Sequence, residues 1–172
     1  MANTSDTTRR IFTTGLQNVH AVENQALALI DRQLDRLEHY PDVASKLRSH
    51  RRETEQQIKR VESILGTMGE SHSMVKDAAL TLSGNLAALV HTVASDEILK
   101  NTLANLAFEN FEAGSYLALI TMAQEGGFED AIRPLTQSLE EETSMAQWIG
   151  QNLPAITRVY LSREEKGVKA DR

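Results

Sequence analysis

Four long stretches of this chain place apolar residues at steps of three and four, and each stretch carries an acid on or beside that stripe near its middle. The three-four step is the period of one face of an α-helix, so the chain is committed to packing long helices against one another. With 3 Pro and 9 Gly in 172 residues few breaks are available, and 41% hydrophobic residues suffice for one buried core.

The first stripe runs between Thr8 and Glu38 through Phe12, Leu16, Val19, Ala26, Ile30, Leu34 and Leu37, and predicts a helix that stops near His39-Tyr40-Pro41. The second, Val43, Leu47, Thr54, Val61, Ile64 and Leu65, ends at Gly66. From Thr67 to about Ala94 the pattern is less regular and reads as a crossover of one or two short helices. A third helix starts after Ser95 as N-cap and carries Leu99, Leu103, Leu106, Leu117, Ile120 and Ala123 up to Gly126-Gly127. The fourth begins around Phe128 to Asp130 and shows Ile132, Leu135, Leu139, Ala146, Ile149 and Leu153 before Pro154. Connections that run short, long, short predict an all-α, ferritin-like antiparallel four-helix bundle with a long helical crossover between helices two and three. The expected organisation is a disordered N-terminus over 1–10, the bundle over 11–155, and a helical coda with a charged tail over 156–172.

Which residues interrupt the stripes is informative. Glu23 fills a core position on helix one and Glu142 one on helix four; helix three places Glu109 and, a turn later, Glu112 on one side. On helix two His50, Thr54 and Gln57 lie on the stripe, with Glu53 adjacent. All these positions are near mid-helix, and at about 1.5 Å rise per residue antiparallel helices of similar length bring their midpoints together. Glu23 to Glu53 and Glu112 to Glu142 are each separated by 30 residues, as two related hairpins would be. Several buried carboxylates without a buried Lys or Arg need a compensating positive charge, and a metal cation supplies one. His50 reads either as a nitrogen ligand or as a hydrogen-bond donor to a carboxylate.

Other polar residues read more simply. Glu140 and Glu141 are expected to be exposed neighbours, His20 a core-edge histidine, and His39, His72 and His91 surface or loop residues. Tyr116 is expected to pack near Glu112, Trp148 to be core or dimer contact, and Arg48, Arg51 and Arg52 to form a solvated face. The absence of cysteine excludes disulfides, thiolate zinc sites and iron–sulfur clusters. A net charge of -6 argues against duplex nucleic acid as a partner. Met1 to Arg10 lacks an apolar leader core, and no run approaches the roughly 18 apolar residues of a membrane span, so no membrane and a cytoplasmic location are expected.

The segments Ala21-Val22-Glu23, His50-Arg51-Arg52-Glu53-Thr54 with Gln57, Glu109-Asn110-Phe111-Glu112 followed by Ser115-Tyr116, and Leu139-Glu140-Glu141-Glu142 resemble the bacterial YciE/YciF-like ferritin-like stress proteins over roughly residues 11 to 155. The resemblance implies a homodimer with a centre of two metal ions, and the ligands Glu23, His50, Glu53, Glu109, Glu112 and Glu142. It establishes no reaction. Ferritin-like di-iron proteins use Glu-x-x-His on helices two and four, whereas counting from Glu53 and Glu142 reaches Gln56 and Met145. The helix-four acid often found four residues further on is Ala146. A carboxylate-rich set of this kind suits iron or manganese and admits magnesium or calcium. The expected function is therefore stress-related iron handling or chemistry with dioxygen or peroxide. The alternative is a non-enzymatic interaction protein with a metal-free polar core.

Overall fold

Pro41 sets the first boundary, but by starting a helix rather than only ending one. In the computed structural model, which describes residues 4–69 and 96–170, α1 spans Thr4–Leu34 and α2 spans Pro41–Thr67. Pro41 occupies the first turn of α2, where a missing N–H costs nothing, and Tyr40 precedes it as N-cap. Helix one thus begins earlier than the expected Thr8 and ends earlier than Glu38. The apolar Leu37 that suggested continuation belongs to the six-residue connection and packs against the core from there.

Helix α3 spans Glu97–Gly126 and α4 spans Glu129–Glu165. The cap before α3 is Asp96; Ser95 and the crossover from 70 to 95 lie outside the described residues. Gly127 closes α3 with φ 72°, a left-handed conformation that glycine adopts without side-chain strain, and the Phe128 N–H returns to the Ala123 carbonyl at 2.8 Å.

Two expectations about helix faces and ends require correction. Leu103 and Leu117, assigned to the inward stripe of α3, are 53% and 57% exposed. The buried face is instead Ile98, Thr102, Glu109, Glu112, Tyr116, Leu119 and Ala123; α3 is apolar almost all round, so hydrophobicity alone does not mark its inner side. Helix four does not end before Pro154. It continues because Ile156 is buried and Tyr160 packs on the same core, and because Pro154 and Gly150, whose carbonyl loses its helical partner, are both exposed to solvent. Beyond α4 the chain turns back, and the Tyr40 hydroxyl donates to the Ala170 carbonyl at 2.6 Å.

α1 packs on α2 and α3, and α4 on α3 and α2, leaving α1/α4 and α2/α3 as the diagonals of an antiparallel four-helix bundle. Among the described residues there is no strand, and no helix is long and apolar enough to cross a membrane. The core is divided in two. Phe12, Leu16, Val61, Leu65, Leu119, Ala123 and Leu135 fill one end; Ile30, Val43, Leu47, Ile98, Ile149 and Ile156 fill the other. Between these apolar clusters lies a layer of buried polar side chains.

Candidate metal centre

That layer receives one or more acids or a histidine from each helix. Glu23 from α1, His50 from α2, Glu109 and Glu112 from α3 and Glu142 from α4 are all buried, each at most 4% exposed. They lie there because each occupies the core-facing register of its helix. His50, Glu109 and Glu142 form the tightest group: one ligand atom from each lies within 4.8 Å of the others. His50 Nε2 is 3.0 Å from Glu109 Oε2 and 3.6 Å from Glu142 Oε2. Three donors at that spacing can reach a single cation placed between them.

Glu53 is not brought into this group. Its side chain is 32% exposed, and its Oε2 accepts from His50 Nδ1 at 3.0 Å. That contact fixes the imidazole and places a proton on Nδ1, so that Nε2 is the nitrogen turned toward Glu109 and Glu142. The sequence alternatives for His50 therefore divide between its two nitrogens. Glu53 steadies the histidine from outside.

The remaining acids are held by hydroxyl and amide groups. The Tyr116 hydroxyl donates to Glu23 Oε1, and the Gln57 amide to Glu142 Oε1. Yet Glu23 Oε2, both oxygens of Glu112, Glu142 Oε2 and Gln57 Oε1 are buried with no hydrogen-bond donor other than a neighbouring acid among the described residues, and Glu109 Oε2 faces only His50 Nε2 at 3.0 Å. All six are acceptors, and no buried Lys or Arg lies among these side chains. Orphaned buried acceptors are costly, and a hard cation held between His50, Glu109 and Glu142 would offset that cost for the acids around it. The donor set, carboxylate oxygens with one imidazole nitrogen, fits a divalent cation such as iron or manganese.

Electrostatics without a cation are strained in the corresponding sense. Burial pushes the Glu23 carboxyl up to about 8, with Glu109 and Glu141 adding to the rise and Tyr116 and His50 opposing it. Burial likewise holds Glu112 and Glu142 well above the usual carboxylate range, reinforced by neighbouring acids, Glu23 on Glu112 and Glu109 on both. For His50 burial acts downward, but Glu109, Glu53 and Glu142 together outweigh it and raise the imidazole well above its ordinary value.

These shifts predict a pH dependence. A group that binds its proton more tightly folded than unfolded contributes stability at low pH that is lost as pH rises through its folded value. Glu23 and His50 share that sign; Glu53, lowered by its bond to His50, acts only below the ordinary carboxylate value. Urea unfolding in chelator should therefore give a free energy that falls from about pH 5 to about pH 8 as Glu23 approaches its folded value, with His50, Glu112 and Glu142 adding to the fall in the same direction. A free energy that rises over that window contradicts this picture of the core.

Two sequence readings change here. Gln56 does not take the place of a histidine, because it is exposed; Gln57, one residue on, is fully buried. Glu141 is not a solvated neighbour like Glu140. It is gripped by the Arg60 guanidinium at 2.7 and 2.8 Å and accepts from Gln57 at 3.0 Å. Gln57 was legible on the stripe; the Arg60–Glu141 pair joins residues 81 apart and left no local signal. His20 lies at the core edge, 3.1 Å from Glu62, and Arg51 bridges Asp31 and Glu55.

Bundle and buried layer together define a ferritin-like helical protein with a carboxylate-rich core. Residues 7–162 match the family described as domain of unknown function DUF892, and the chain belongs to that family. Among solved structures it is similar to a protein of Xanthomonas campestris pv. campestris, at 27% identity with TM-score 0.77, covering 92% of this chain and 99% of that one. It shares its fold with the Escherichia coli stress protein YciF, at 20% identity and TM-score 0.67 over 89% and 96% of the two chains. The same holds for YcfI, a putative structural protein of Rhodopseudomonas palustris, at 21% identity and TM-score 0.66 over 87% and 97%.

Proposed function

We propose that this protein binds iron or manganese in its buried polar layer and serves in a bacterial stress response, handling iron or reacting with dioxygen or peroxide. The observation that carries the metal is the set of buried acceptor oxygens without partners around His50, Glu109 and Glu142. The stress setting follows the Escherichia coli stress protein whose fold this chain shares. One ion would be held by His50, Glu109 and Glu142, and a second by Glu23 and Glu112. Bound iron or manganese would supply Lewis acidity and one-electron redox capacity.

The chain's own residues prepare the site. Glu53 fixes the His50 tautomer, Tyr116 restrains Glu23, and the two apolar clusters shield the layer from both ends. A homodimer is part of the same proposal, tested by light scattering.

Elemental analysis after incubation with Fe(II) or Mn(II) and desalting tests the metal. Wild-type protein should retain about one to two ions per chain, and the His50→Ala/Glu142→Ala variant essentially none. Equal content in the two proteins would sink the proposal. The competing reading, a metal-free proton-sharing core in an interaction protein, draws on the Tyr116–Glu23 and Gln57–Glu142 bonds and the raised Glu23 carboxyl. It predicts stability indifferent to metal.

A further inference from the structure

From Glu142 a line of polar side chains runs outward across the α2–α4 contact. Gln57, fully buried on α2, directs its amide nitrogen at Glu142 Oε1 and, at 3.0 Å, at Glu141 Oε2. Glu141 is held by the two terminal guanidinium nitrogens of Arg60, which also donates to Ser138 Oγ at 3.1 Å. Arg60 and Glu141 are 17% and 18% exposed, so the line ends near the surface.

The chemistry of an amide fixes this arrangement. Its nitrogen has two protons, and both are directed at carboxylates; the flipped amide would set a carbonyl oxygen against two acids. Gln57 therefore pins one oxygen of Glu142 and leaves Oε2, which has no hydrogen-bond partner, 3.6 Å from His50 Nε2. A carboxylate with one oxygen held presents the other in a set direction, so less ordering remains when a ligand arrives. The Arg60 fork does the same for Glu141, the second acceptor of that amide.

We propose that Gln57, locked by Glu141 and Arg60, is a positioning residue of the metal centre that aims the free oxygen of Glu142 into the site. This rests on the metal reading of the core. Partners that orient ligands typically matter about 10- to 100-fold in affinity.

The test is titration of the intact protein with Mn(II), read from the resonance of the free ion, with the Co(II) absorption bands as a second readout. Gln57→Leu should weaken Mn(II) binding about 10- to 100-fold and shift the Co(II) bands, with helical content retained. Glu141→Ala should weaken binding in the wild-type background but add less than about twofold in the Gln57→Leu background, because the line is already cut. Equal losses in both backgrounds would mean that Glu141 acts by charge alone and would overturn the proposal. So would unchanged affinity and bands in Gln57→Leu. Should that variant not fold, Glu141→Ala and Arg60→Met decide by the same two readouts. Wild-type protein that binds Mn(II) while the variants bind it equally refutes the positioning role only; wild-type protein that binds none refutes the metal reading and this role together.

Discussion

Metal-free protein given Mn(II) or Fe(II) at a hundredfold excess over the dissociation constant should unfold about 5 to 10 °C higher. A ligand bound only to the folded state adds roughly 2.7 kcal/mol at that excess, and each kcal/mol moves the midpoint of a chain this size by about 2 to 4 °C. The gain is expected because the buried carboxylate oxygens of Glu23, Glu109, Glu112 and Glu142 are brought together only in the folded layer. Differential scanning calorimetry with and without chelator measures it. An unchanged midpoint favours the metal-free polar core.

The second large effect has opposite signs with and without metal. Glu112 is 2% exposed, its oxygens meet no hydrogen-bond donor other than a neighbouring acid, and burial with those acids keeps it from ionising readily. Glu112→Leu exchanges this group for an apolar one of similar size next to Glu23, Glu109 and Glu142. The metal-free variant should gain about 1 to 3 kcal/mol in urea unfolding, the cost of an unsatisfied buried polar group. The same variant should lose most of the stabilisation that metal gives the wild type. A variant less stable than wild type in chelator would show that Glu112 is satisfied in the metal-free fold.

What the sequence made legible followed from contrast. Glu23 and Glu142 are single polar residues set in apolar stripes, His50 follows Leu47 on another, and the helical period places them inward; the structure finds all three buried. Contrast failed on α3, where Leu103 and Leu117 are as apolar as the true core residues and nothing local separates the two faces. A step of one residue turns a helix by more than a quarter of a circle, which is why Glu53 lies outside the layer while Thr54 is buried, and why Gln56 is exposed while Gln57 reaches Glu142. Glu141 could not be read at all, since its burial depends on Arg60 from another helix. The continuation of α4 past Pro154 depends on exposure of the freed carbonyl, which is a tertiary property.

The account stands on the claim that the buried layer is a cation site. Crystals of protein loaded with Fe(II) or Mn(II), with data collected at the metal absorption edge, address it directly. The account predicts an anomalous peak within bonding distance of His50 Nε2, Glu109 and Glu142. A core without such a peak, or a peak only on surface acids with Glu23 and Glu142 still bonded to Tyr116 and Gln57 alone, would contradict it.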